Sequence, residues 1–173
     1  MAGHAFADES TRGKYLVCVS VVAEADLCDT RKTLRELRAS GARRIHMKNE
    51  GDRRRRIILS TLASLGTTRS RIYIAPRPVV EGRRRCLYEL VADLAAVGVR
   101  DLTLEQCEHT QNVRDRSDLA HAVTKANAHL RYSHASPLSE ACLWLPDVID
   151  WAYGRGGDWR RRVEPLLEAV IEL

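Results

Sequence analysis

The sequence predicts an α/β fold: a mixed sheet that opens with an antiparallel hairpin, continues through alternating strands and helices, and carries helices on both faces. Three observations predict it. Two short apolar runs, "HAFA" and "KYLVCVSVV", follow one another across a polar break, as the arms of a hairpin do. Runs with an apolar period of two then alternate with longer runs whose apolar residues recur every three or four positions. Glycine or proline punctuates the boundaries, at Gly41, Gly66, Pro76, Pro78 and Gly98.

Each element follows from its own residues. The hairpin turns around Gly13, after Asp8-Glu9-Ser10. Residues 24–40 read as a helix with Leu27, Leu34 and Leu37 on one face and Gly41 past its end. "RRIHM" is a short strand candidate. From Asp52 to Leu65, Ile57, Ile58, Leu62 and Leu65 share a helical side, and Gly66 stops it. "SRIYIA" is a strand closed by Pro76, and 83–97 is a helix with Leu87, Leu90, Val91 and Leu94 in register. "VRDLTLEQ" alternates as a strand does. A helix over 113–130, an extended "RYSHAS" and a long helix over 137–153 follow. Gly154, Gly156 and Gly157 break the chain before a last helix, about 158–172, which extends a single domain spanning 1–173.

The bulk properties exclude several classes. The chain has 173 residues, 45% hydrophobic and 29% charged, enough for one domain with a real core. No basic and then apolar leader opens it, and no run reaches the roughly 18 apolar residues of a spanning helix, so the expectation is a cytoplasmic protein off the membrane. Five scattered cysteines without a CxxC pair argue against zinc clusters and disulfide frameworks and for buried, reduced thiols. Net charge is +5; only four of the 28 basic residues are lysine, leaving arginine the other 24. Arginine's planar fork suits phosphate, but a GC-rich genome also favours arginine.

Chemistry enters with the acids. In alternating sheets, functional groups gather at the carboxyl ends of strands. Asp8 and Glu9 lie at such an end, and Glu105 near another. Asp147 sits in "ACLWLPDVIDWAY", among Leu143, Trp144, Leu145, Val148 and Ile149, where an unpaired carboxylate is costly. Asp150 competes with it one turn on. Three such carboxylates suit Mg²⁺ or Mn²⁺, and a pair of these ions activates water and stabilises a leaving oxygen in phosphodiester cleavage. The plainer reading makes Asp-Glu-Ser a turn, turns Glu105 to solvent, and pairs Asp147 with Arg155 or Arg160.

Histidines and arginines add to the pattern. His46, in "RIHMKNE", and His134, in "YSHAS", are each either an acid–base group or a loop hydrogen-bonder. Arg53, Arg54, Arg55 and Arg56 head one helix, and Arg83, Arg84 and Arg85 another, where the helix dipole disfavours cations. With Lys48, the residues Arg53, Arg54, Arg83 and Arg84 are candidates for phosphate contact with RNA or DNA without sequence readout. Aromatics make up only 5%, so base stacking has little support. No GxGxxG, Walker loop, GxSxG or HExxH occurs.

From Phe6 to Tyr153 these residues resemble the domain-of-unknown-function family numbered 3800. "FADES" carries the resemblance most, and "RIHMKNE" is similar to the family's histidine-bearing second motif. The family's Gln-x-x-Asp corresponds to Trp144-Leu145-Pro146-Asp147, which keeps the aspartate and not the glutamine, and its central-strand aspartate corresponds to Glu105. The resemblance implies a ribonuclease H-like fold. It also implies a Mg²⁺- or Mn²⁺-dependent nuclease-like site of Asp8, Glu105 and Asp147, with Glu9 and His46 assisting. The rival expectation is a module that binds nucleic acid or protein with a degenerate site. The last helix, with Trp159, Val163, Leu166, Leu167, Val170 and Ile171, either packs on its own domain or makes a homodimer contact.

Overall fold

The computed structural model describes residues 3–11 and 14–173. The loop expected at Gly13 lies outside the described residues. A six-stranded sheet has the order β5-β4-β1-β2-β3-β6. β1 (Gly3–Ser10) and β2 (Tyr15–Ala23) form the expected antiparallel hairpin, with Asp8 opposite Cys18. β3 (Thr68–Ala75) pairs antiparallel with β2, while β4 (Asp101–Glu105) runs parallel to β1, and β5 (Arg131–Ala135) parallel to β4.

Helices cover both faces. On one lie α1 (Leu27–Leu37), α2 (Asp52–Leu65), α5 (Trp144–Arg155) and α6 (Gly157–Val163), whose buried side chains share a core with Phe6, Leu16, Cys18 and Ile72. On the other lie α3 (Val79–Ala96) and α4 (His109–Lys125), packed on Ala5, Ala7, Tyr15, Val17 and Tyr73. Strand side chains alternate between faces. Asp8 therefore shares the face of Phe6, and Glu9 that of Ala7. No helix among the described residues is long and apolar enough to cross a membrane.

Two elements differ from expectation. "RRIHM" is not a strand. His46 is extended, but it leads into a 3-10 turn over Met47–Asn49, and the Met47 N–H donates to the Asp147 carboxylate instead of a neighbouring strand. The final segment is not one helix. α6 ends at Val163, a 3-10 turn spans Glu164–Leu166, and β6 (Leu167–Glu172) runs parallel to β3 at the sheet edge. Leu167, Ala169 and Ile171 are half-buried while Glu168, Val170 and Glu172 are exposed, the alternation of a strand. The apolar helical face proposed for a homodimer is therefore not formed. Smaller shifts affect α4, which starts and ends about a turn early with Asn127 at φ 48°, and α5, which begins only after a 3-10 turn over Ala141–Leu143.

Three cysteines, Cys18, Cys86 and Cys142, are buried, Cys107 is half-buried and Cys28 exposed; all five are free.

Candidate functional site

At the carboxyl ends of β1 and β4 opens a cleft of about 430 Å³. Asp8 and Glu105 reach it from adjacent strands, and Asp147 and Asp150 from α5, which lies against β1 and β2. The strand register explains the first pair. β1 and β4 are parallel with Ala7 beside Leu104, so Asp8 and Glu105 follow on the same face. The turn 46–49 completes the site: His46 Nδ1 lies 3.1 Å from Asp147 Oδ1, and the Met47 N–H donates to Oδ2 at 3.1 Å. Asp147 thus pairs with the "RIHM" segment and not with Arg155 or Arg160. Acids separated by over a hundred residues line one cavity.

Their electrostatics record the crowding. Burial, then the Glu105 carboxylate, pushes Asp8 from its ordinary 3.8 up to about 8; Asp147 and Asp150 add to this, and the Glu9 N–H, donating at 2.7 Å, opposes it. Glu105 is also raised, by burial first, with Arg44 opposing at 3.5 Å and Asp147 reinforcing.

Glu9 and Arg83 depart from expectation together. Glu9 borders the cleft, but its carboxylate is held by the opposite layer: Tyr15 Oη donates to it at 2.6 Å, and Arg83 of α3 forms a short ion pair with it. It is not a free base or metal ligand. Arg83, expected on phosphate, is 5% exposed. Its fork grips Asp115 of α4 through Nε at 2.6 Å and Nη2 at 2.8 Å. Asp115 is fully buried. Burial alone would raise it, but His134 Nε2 at 3.0 Å and Arg83 hold it well below the usual carboxylate range. His134 is therefore a structural hydrogen-bonder. Cys107 Sγ, 3.7 Å from Glu9 Oε1, is pushed up to about 11, chiefly by burial.

The other basic candidates divide. Lys48 is exposed on the cleft rim, joined by Arg44 and Arg155. Arg54 turns from the cleft to Glu50 and the Leu37 carbonyl. Arg53 is exposed on the first turn of α2, and Arg84 is exposed on α3 but tied to Asp118 and Glu81; neither lines the cleft. Sequence reasoning missed Arg44, Asp115 and the cleft position of Trp151. A signal existed for Asp115: it lies on the stripe of Leu119 and Ala122, an acid on the buried side of its helix.

Hard oxygen donors around one cleft, with Asp8 raised by burial and then by the Glu105 carboxylate, fit a divalent cation in chemistry and charge. Among the described residues, no three His, Cys, Asp or Glu side chains are close enough to enclose an ion. The acids border a common space without forming a cage.

This sheet, with its opening hairpin, parallel continuation and helices on both faces, is a ribonuclease H-like fold. A chain in the solved structure of the PCNA:RNase HII complex from Archaeoglobus fulgidus is similar over 96% of this chain and 76% of its own, with a TM-score of 0.58 and 13% identity. No protein-family model matches the chain, and no curated protein matches its sequence.

Proposed function

We propose that the protein is a Mg²⁺- or Mn²⁺-dependent phosphodiesterase that acts on nucleic acid without sequence readout. The observation that carries this reading is the set of acids that β1, β4 and α5 bring to one cleft, where burial and then the Glu105 carboxylate push Asp8 up to about 8 beneath a rim of Arg44, Lys48 and Arg155. The resemblance to the family numbered 3800 and the likeness to an RNase HII structure point the same way.

Asp8, Glu105 and Asp147 would hold the cation, with Asp150 beside them. When bound, the metal supplies an activated water and a counter-charge for the leaving oxygen. On ligation Glu105 would exchange Arg44 for the ion, and Asp147 keeps lone pairs beyond those committed to His46 and Met47. With Asp147 accepting from Nδ1–H, His46 presents Nε2 as its basic nitrogen to take or return a proton. The cationic rim positions the phosphate over the acids and offsets their repulsion of a polyanion.

With Mn²⁺ the purified protein is expected to cut a single-stranded oligonucleotide, and Asp8→Asn to lower the rate at least about a hundredfold, as loss of a central charge-stabilising group does. Undiminished cutting by that variant contradicts the assignment. The Arg44–Glu105 pair favours one second reading, a binding module whose site is degenerate. That reading predicts salt-sensitive binding indifferent to chelator, with no turnover.

A further inference from the structure

Aromatic residues are scarce in this chain, yet one of its three tryptophans lines the cleft and a second packs against it. Trp151 lines it, and Trp159 meets Trp151 at 71° with ring centroids 5.4 Å apart. Both are half-buried, whereas Trp144 is buried. α2 lays its arginine run over them: the Arg55 guanidinium is 4.4 Å from the Trp151 centroid, and that of Arg56 is 5.6 Å from Trp159. The arginines that head this helix against its dipole thus face an aromatic surface.

Arg55 has structural work as well, since it donates to the Met47 and Lys48 carbonyls and pairs with Asp52. Lys48, Arg56 and Arg155 are exposed and make no ion pair among the described residues. The cleft accordingly has an acidic floor, an indole in its wall and uncompensated cations at its mouth.

We infer that Trp151, Lys48 and Arg155 form the binding track for an unpaired polynucleotide strand, with one base stacked on the side of Trp151 that lines the cleft, which Arg55 does not line, and the flanking phosphates on Lys48 and Arg155. The inference rests on reading the acids as a phosphodiester site. A base inside a duplex has both faces covered, and only an unpaired, splayed base offers one to an indole. A cleft of about 430 Å³ is the size of a small-ligand site, room for one nucleotide. Stacking is indifferent to base identity, which suits non-specific recognition.

The test is fluorescence anisotropy in chelator, which separates binding from cleavage, with labelled oligouridylate, oligothymidylate and a blunt duplex of equal length. Trp151→Leu is expected to weaken the tighter of the two single strands about tenfold, Trp151→Phe to retain most of the affinity, and duplex binding to be unchanged. Arg155→Glu should flatten the salt dependence of single-strand binding. Folded Trp151→Leu that binds both single strands as the parent does, or loses duplex affinity equally, overturns the inference. If Trp151→Leu does not fold, the emission of the parent protein decides: quenching by the oligomer supports stacking, and unchanged emission overturns it. Metal-dependent cleavage without Trp151-dependent binding removes this inference alone. Trp151-dependent binding without cleavage removes the phosphodiesterase reading alone.

Discussion

Asp8 and Glu9 are adjacent and chemically alike, yet the strand pleat sends them to opposite layers. Glu9 meets Tyr15 and Arg83, which compensate its charge, while Asp8 meets Glu105, Asp147 and Asp150, which oppose it. The sequence shows both acids at a strand end; which one enters the cleft depends on α3 delivering an arginine to one face only. Arg83 bridges Glu9 to the fully buried Asp115, so Arg83→Met strands two carboxylates and is expected to destabilise the protein by about 3–5 kcal/mol, read from urea unfolding. Asp8 sets a pH dependence of definite sign. Between about 4 and about 8 the folded protein keeps a proton on Asp8 that the unfolded chain has released, so stability in chelator falls as pH rises through that window. Asp115 acts in the opposite sense, its contribution being lost as pH falls below the ordinary carboxylate range. Asp8→Asn is expected to flatten the decline between about 4 and about 8, measured as urea midpoint against pH.

The position of α3 is what brings Arg83 inward, and Gly82 allows it. A Cβ at Gly82 would lie 2.8 Å from the Pro76 carbonyl oxygen and 3.2 Å from Ala75 Cβ, so the helix start rests on the end of β3 only without a side chain there. Gly82→Ala is expected to cost about 1–3 kcal/mol in the same unfolding assay, by forcing the helix off the strand. The hairpin, α2, α3 and the strands at 68–75 and 101–105 were legible because each carries its period and its stop within a few residues. The "RRIHM" segment and the carboxyl terminus were not, for a shared reason: their partners are distant in sequence. Val163, Leu166, Leu167, Val170 and Ile171 satisfy a helical spacing, and only pairing with β3 selects the two-residue period instead. "RRIHM" has a strand's composition, but Asp147, about a hundred residues away, takes the hydrogen bond that a strand would have offered.

Over the whole molecule, the sheet order places β1 and β4 side by side, with α5 against β1 and β2. This juxtaposition gathers the acids at 8, 105, 147 and 150 around one cleft in a chain of net charge +5. The four-acid convergence was foreseeable only in outline; the arginine–tryptophan contacts beside the cleft emerge when α2 packs beside α5 and α6. The account stands on the claim that these acids are a divalent-cation site. Its most direct test is calorimetric titration of Mn²⁺ near pH 7 in two buffers of different ionisation enthalpy. Asp8, raised to about 8, is mostly protonated there, so the account predicts carboxylate-dependent binding that releases close to one proton and is abolished or greatly weakened in Asp8→Asn. Absence of binding, or binding that releases no proton and is untouched by that substitution, would contradict it.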